Sequence, residues 1–285
     1  MTYNKLLNYG KKLAKKHNVE IEGIRLLVLE LSGLNGAEFL ASIDEECPTN
    51  IEEKILKAFE DYFNGLPVQH IIGYSYFYGY KMIVNKDVLI PRPETEELIG
   101  YVLAYYDEMF DGKEVQLVDV GTGSGNIAIA LACEEKNMTV TATDISFEAL
   151  ETAKQNAINN SCNVTFLQGN MLDPLIEKNL KFDILVSNPP YIPDSEYVEP
   201  LVLDNEPNIA LFGGDNGMKF YNEIFEKSKY VLKDKAIMAF EHSHKTKKEM
   251  LELANKHYPN ANSFVIQDLN GKDRFLIVLI GENDD

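Results

Sequence analysis

Along roughly the first 66 residues, apolar positions recur at three- and four-residue steps, as in Ile24, Leu27 and Leu31 and again in Ile55, Phe59 and Phe63. That spacing predicts helices with one apolar face, and Gly65-Leu66-Pro67 ends the region. The period then changes. Residues 74–84 are aromatic and β-branched, with Asn85-Lys86-Asp87 as turn material before Val88-Leu89-Ile90, a pattern that predicts a β-hairpin joining two domains. From Pro93 onward, helical stretches alternate with short apolar runs at 115–120, 139–143, 164–168, 183–187, 236–240, 264–267 and 275–279. A parallel sheet covered by helices on both faces reads this way, so the expectation is an α/β fold with one seven-stranded, doubly wound sheet. Only residues 268–274 separate the last two runs, too few for a helical crossover, so the final strand is expected antiparallel. The predicted division is a helical domain at 1–72, a hairpin linker at 73–92 and a large domain at 93–285.

Composition narrows the function classes. A chain of 285 residues can bury one large core and one small one. No apolar run approaches the roughly 18 residues of a membrane span, and the lysine-dotted start lacks the apolar region of a signal peptide, so the chain reads as untargeted and cytoplasmic. Cys47, Cys133 and Cys162 are odd in number and form no C-x-x-C pair, so reduced thiols are expected, with neither a disulfide framework nor a metal site. The 27 basic and 45 acidic residues leave a formal charge of −18, which repels a phosphate backbone and weighs against free duplex nucleic acid as the partner. Lys5, Lys11, Lys12, Lys15 and Lys16 form the one basic cluster, read as the solvated face of a helix.

Two loops carry the chemistry. The strand 115–120 runs into Gly121-Thr122-Gly123-Ser124-Gly125, followed by a helix-like segment from Asn126. Glycines let a ligand approach the main chain, but a dinucleotide fingerprint would want its third glycine where Asn126 stands. After the next predicted strand comes Asp144, placed to accept hydrogen bonds from ribose hydroxyls. A nucleoside is implied and a pyrophosphate is not. S-adenosylmethionine suits a loop free of basic residues, because its ammonium and sulfonium groups are positive. Asp119 reads equally as a buried strand-end acid held by backbone donors or as a residue turning the loop toward a cation.

The second loop, Asn188-Pro189-Pro190-Tyr191, ends the apolar strand 183–187, and ligands of open α/β sheets bind at such carboxyl ends. Two prolines restrict the backbone, so the Asn188 side chain and the Pro189 carbonyl can act as two fixed acceptors for one NH2 group, and Tyr191 can stack on a planar amide or base. His242 and His244 lack further metal ligands nearby in the sequence and read as surface or core residues.

With these residues in place, the chain resembles the class I methyltransferases, and within them the peptide chain release factor glutamine methyltransferases, the HemK/PrmC family. The resemblance also covers residues 67–73, the hairpin aromatics, and residues 90–96, 206–218 and 268–274. It implies methyl transfer from S-adenosylmethionine to the glutamine side chain of a Gly-Gly-Gln loop in a release factor, which the N-terminal helical domain helps recruit. It also implies that Gly121, Thr122, Gly123, Ser124, Gly125, Asp144 and Asn188 contact the cofactor, that Met171 borders the adenine, and that Asn188, Pro189, Pro190 and Tyr191 grip the glutamine amide. A ribosomal-protein glutamine and an N6-adenine are the alternative substrates. Asn170 stands where many relatives have Asp, Met171 where some have Trp, and Glu241-His242-Ser243-His244 where Glu-Ile-Gly is more usual, which leaves that last stretch without an assigned role.

Overall fold

The computed structural model describes residues 1–281, which divide into two compact units. The first comprises Met1–Tyr74 with Glu199–Asn205. It contains α1 (Tyr3–His17), α2 (Ile21–Ser32), α3 (Gly36–Ala41), α4 (Thr49–Phe63), α5 (Val68–Ile72) and the later α10 (Pro200–Asn205). Its core is built from Leu6, Ile24, Leu27, Val28, Ile55 and Phe59. Gly10 permits that packing, since a Cβ there would lie 2.6 Å from Ile24 Cγ2 and 2.7 Å from Phe59 Cζ. Asn35 and Glu38 form a reciprocal capping box that starts α3, satisfying backbone donors that the helix itself leaves unpaired.

The second unit starts at Ser75, within a hairpin of β1 (Tyr74–Phe77) and β2 (Tyr80–Ile83). Its turn corrects the sequence expectation: the chain reverses at Tyr78-Gly79, both with positive φ (50° and 82°), and not at residues 85–87. Two left-handed residues match the right-handed twist of paired strands, which is why this turn closes the hairpin. Residues 88–90 form no strand. Asn85 instead folds the backbone locally by accepting from Asp87 N, and Ile90 N donates to the Glu206 carboxylate at 3.1 Å.

The remaining elements are α6 (Pro93–Phe110), β3 (Val115–Val120), α7 (Asn126–Glu134), β4 (Met138–Asp144), α8 (Phe147–Asn159), β5 (Val164–Gln168), α9 (Asp173–Glu177), β6 (Phe182–Ser187), α11 (Lys219–Ser228), β7 (Leu232–Glu241), α12 (Lys247–His257), β8 (Asn262–Gln267) and β9 (Asp273–Ile280). The seven-stranded sheet has the order β5-β4-β3-β6-β7-β9-β8. Five strands run parallel, and β9 inserts antiparallel between β7 and β8, as expected from the short 268–274 connection. Alternate residues feed two cores: Leu117, Ile184 and Ile237 pack with Leu98, Val102 and Leu131 on one face, while Val118, Leu185 and Met238 pack with Tyr221, Phe225 and Met250 on the other.

Two contacts were not legible beforehand. Cys133 in α7 and Cys162 beyond α8 are joined as a disulfide with a Cα–Cα distance of 5.8 Å, in place of the expected reduced thiols, because α7 and α8 bring residues 29 apart in sequence side by side. The buried Asn156 of α8 imitates a strand partner: its Oδ1 accepts from Ile83 N (2.7 Å), and its Nδ2 donates to Ile83 O (3.0 Å) and Ser124 O (2.9 Å). One amide thus ties the hairpin to the glycine loop. Asn156→Ala strips partners from these backbone groups and should cost about 2–4 kcal/mol in chemical denaturation. A loss below about 0.5 kcal/mol, the scale of an ordinary surface change, would mean that these bonds contribute little.

Candidate functional site

The sheet register brings the chemistry-bearing residues to one level. Val120 pairs with Thr143, Asp119 with Val186, and Ser187 with Phe240. Advancing these pairs by one or two residues places Gly121, Asp144, Asn188 and Glu241 side by side at the carboxyl edge. Beyond that edge lies a cavity of about 250 Å³. Gly121, Thr122, Gly123, Ser124, Asp144, Met171, Asn188 and Pro190 all line it. Gly125, Pro189 and Tyr191 stand behind this lining. Gly125 (φ 82°) starts α7, with its missing Cβ 3.0 Å from the Ala153 Cβ. Pro189 is buried, and the Tyr191 ring packs against the second core.

The glycine loop is held from below by acids. Asp119 is fully buried, and its Oδ2 accepts from Thr122 Oγ1 (2.6 Å) and Ala128 N (3.2 Å), while its Oδ1 has no partner. Burial pushes its carboxyl up to about 7, against the pull of the Thr122 and Ala128 hydrogen bonds. Asp119 is thus a buried strand-end acid held by one backbone donor and one hydroxyl of the loop.

Asp144 accepts from Gly123 N (2.8 Å) through Oδ2 and from Ser146 N (2.9 Å) through Oδ1. Each oxygen keeps a lone pair for a further donor, the arrangement a ribose diol needs. Burial raises its pKa, opposed by these backbone donors. Met171 takes a positive φ of 46°, its carbonyl accepting from Thr143 Oγ1 at 3.0 Å. The neighbouring Asn170 donates to Glu223.

Sequence reasoning missed the surroundings of Asn188. Its Nδ2 donates to Thr95 Oγ1 at 3.2 Å, and Thr95 donates to Glu241 Oε2 at 2.6 Å. Glu241 Oε1 accepts from Tyr191 OH at 3.3 Å, so one buried carboxylate is linked to both ends of the Asn188–Tyr191 tetrapeptide. Burial raises the Glu241 pKa, opposed first by Thr95 and then by the positive charge of Arg274. The usable signal was a Thr and a Glu in otherwise apolar positions of α6 and β7. His242 beside it is buried and His244 is exposed.

Residues 206–218 also brace the site. Arg92 on the cavity wall pairs with the buried Glu206 at 2.6 Å. Gly213 N donates to Ile192 O (2.8 Å), and Ile192 N to Leu211 O (3.0 Å). A Cβ on Gly217 (φ 74°) would fall 2.2 Å from Tyr191 O, so only glycine lets this loop lie against the tetrapeptide.

Residues 111–276 match the family model of a methyltransferase domain. A solved methyltransferase from Pyrococcus furiosus shares the fold, with a TM-score of 0.50 at 18% identity over 81% of this chain and 98% of that one. The unit that carries the cavity is therefore a methyltransferase domain, and the methyl donor such a domain implies is S-adenosylmethionine. At the level of the whole chain, it is 42% identical over 268 residues to the release factor glutamine methyltransferase of Bacillus subtilis, covering 93% of each chain. It is 32% identical over 278 residues to that of Staphylococcus aureus, covering 97% and 98%. The chain belongs to the release factor glutamine methyltransferase family.

The cavity suits the implied donor. A Cβ added at Gly121 or Gly123 would meet nothing within 4 Å, so at both positions the space that a side chain would fill is left for a ligand. The loop between them carries no positive charge to oppose a sulfonium, and Asp144 offers paired acceptors for a diol.

Asp119 makes stability pH-dependent. Its folded pKa of about 7 exceeds the ordinary 3.8, so the unfolded chain ionises first and stability falls as pH rises through this window, by about 1.4 kcal/mol per unit at most. Asp119→Asn should lack this component, so its stability advantage over wild type should widen between pH 4 and 7 in urea melts. Parallel curves would mean that Asp119 ionises normally.

Proposed function

We propose that this protein transfers a methyl group from S-adenosylmethionine to the side-chain amide nitrogen of the glutamine in the Gly-Gly-Gln loop of peptide chain release factors. The carrying observation is the near full-length similarity to release factor glutamine methyltransferases, which extends through the N-terminal helical region as well as the methyltransferase domain. Residues 1–72 recruit the protein substrate, 73–92 link, and 93–285 hold the chemistry. A cytoplasmic location accompanies this reading, because translation factors work there.

When bound, S-adenosylmethionine would supply an electrophilic methyl group, with S-adenosylhomocysteine as the second product. The chain's own task is to make a poor nucleophile react, since the amide lone pair is delocalised into its carbonyl. Asn188 Oδ1 and the Pro189 carbonyl accept the two N–H bonds of the substrate amide and aim its nitrogen into the cavity. As the nitrogen gains positive character, the same two oxygens stabilise it, an interaction stronger in the transition state than in the ground state. As the N–CH3 bond forms, one N–H proton passes to water, giving N5-methylglutamine. Gly121 to Gly125 and Asp144 would hold the donor, Met171 would border its adenine, and Pro190 and Tyr191 would join Asn188 and Pro189 in gripping the glutamine amide.

Labelled methyl transfer to a purified bacterial release factor, its Gln→Ala loop variant, ribosomal proteins and adenine-containing DNA tests the assignment. Label is expected on the wild-type factor alone; label on ribosomal protein or DNA would replace the substrate named here. Asp144→Ala should weaken donor affinity by about 1.5–3 kcal/mol in calorimetry, and unchanged affinity would remove Asp144 from the donor site.

A further inference from the structure

An asparagine amide can sit in two orientations related by a half rotation that hardly changes its shape, so packing alone does not decide which end faces the cavity. Hydrogen bonding decides it here. Thr95 Oγ1 lies 2.6 Å from Glu241 Oε2 and 3.2 Å from the Asn188 amide. A threonine hydroxyl carries one hydrogen, and an ionised carboxylate has none to offer. With that hydrogen committed to Glu241, Thr95 can only accept from Asn188. The group facing Thr95 is therefore the NH2, and the carbonyl oxygen is left for the cavity.

Thr95 and Glu241 are both buried, at 2% exposure each, with Thr95 at the cavity lining. The second oxygen of Glu241 is taken by the Tyr191 hydroxyl; burial raises the Glu241 pKa, and the Thr95 hydroxyl, the charge of Arg274 and the Tyr191 hydroxyl act against that rise in favour of the carboxylate. Arg274 is itself held by Asp268 at 3.1 Å. The Tyr221 hydroxyl donates to the Glu241 backbone carbonyl at 2.7 Å and secures the strand end.

We propose that Thr95 and Glu241 are positioning residues for methyl transfer: the Glu241 carboxylate takes the Thr95 hydrogen, and Thr95 thereby holds the Asn188 amide with its carbonyl toward the substrate. The inference rests on the reading of Asn188 as the acceptor for the substrate amide. With the amide reversed, its NH2 would face the substrate NH2, two donors with no acceptor between them. Thr95 also lines the cavity, and the effect assigned to both residues passes through Asn188.

Thr95→Val keeps the shape and removes the hydroxyl, Thr95→Ser keeps the hydroxyl, and Asn188→Ala tests the underlying reading. Each variant is assayed for kcat on a bacterial release factor, for S-adenosylhomocysteine affinity by calorimetry, and for Tm. Thr95→Val is expected to lower kcat by about tenfold or more, with product affinity within about twofold of wild type, whereas Thr95→Ser recovers most of the rate. If the valine variant does not fold, Thr95→Ala is read by the same criteria. Normal kcat in Thr95→Val alongside a large loss in Asn188→Ala would overturn the positioning role alone. Normal kcat in Asn188→Ala would overturn the reading beneath it. Equal losses in the serine and valine variants, or losses that track Tm or product affinity, would also overturn the proposal.

Discussion

The alignment of four strand ends is the constraint on which the site depends. Parallel pairing of β3 with β4 and β6, and of β6 with β7, sets Gly121, Asp144, Asn188 and Glu241 at one level of the sheet. A slip of one residue in any pairing would move a carboxylate or an amide by about 3.3 Å and turn its strand's side chains to the opposite face. Register is therefore secured by the two cores, which require Leu117 on one face and Val118 on the other. The same burial that stabilises the sheet positions the acceptors.

Three acids sit at or beneath this edge in a chain whose formal charge is already −18. Each is handled differently. Asp119 is raised toward neutrality by burial, Asp144 is held by backbone donors from the glycine loop and from the start of α8, and Glu241 collects two hydroxyls beside Arg274. Neutral donors and one partly buried guanidinium thus accommodate acidic groups without placing lysine or arginine in the glycine loop. That leaves the loop suited to a cationic methyl donor, where a phosphate-binding loop would require the opposite sign.

The segments outside the sheet act as braces. Asn156 joins the hairpin to the carbonyl of Ser124, and residues 206–218 hold Arg92 through Glu206 and the tetrapeptide through Gly213 and Gly217. Because these braces contact backbone more than side chain, they admit little substitution where a Cβ would intrude, as at Gly217.

Sequence alone determined what local pattern can carry: the helical start, all seven strands of the large sheet, the antiparallel return after residues 268–274, the glycine loop, Asp144 and the tetrapeptide. Each is written in contiguous residues, through periodicity, turn chemistry or a short motif. Tertiary structure decided what depends on pairs distant in the chain. The hairpin turn lies at Tyr78-Gly79, and Ile90 N, which a strand at 88–90 would have used, is claimed by Glu206. Cys133 met Cys162 because two helices lie together. Thr95 and Glu241, 146 residues apart, became partners only when α6 and β7 packed, and no local spacing records which way the hydrogen between them points.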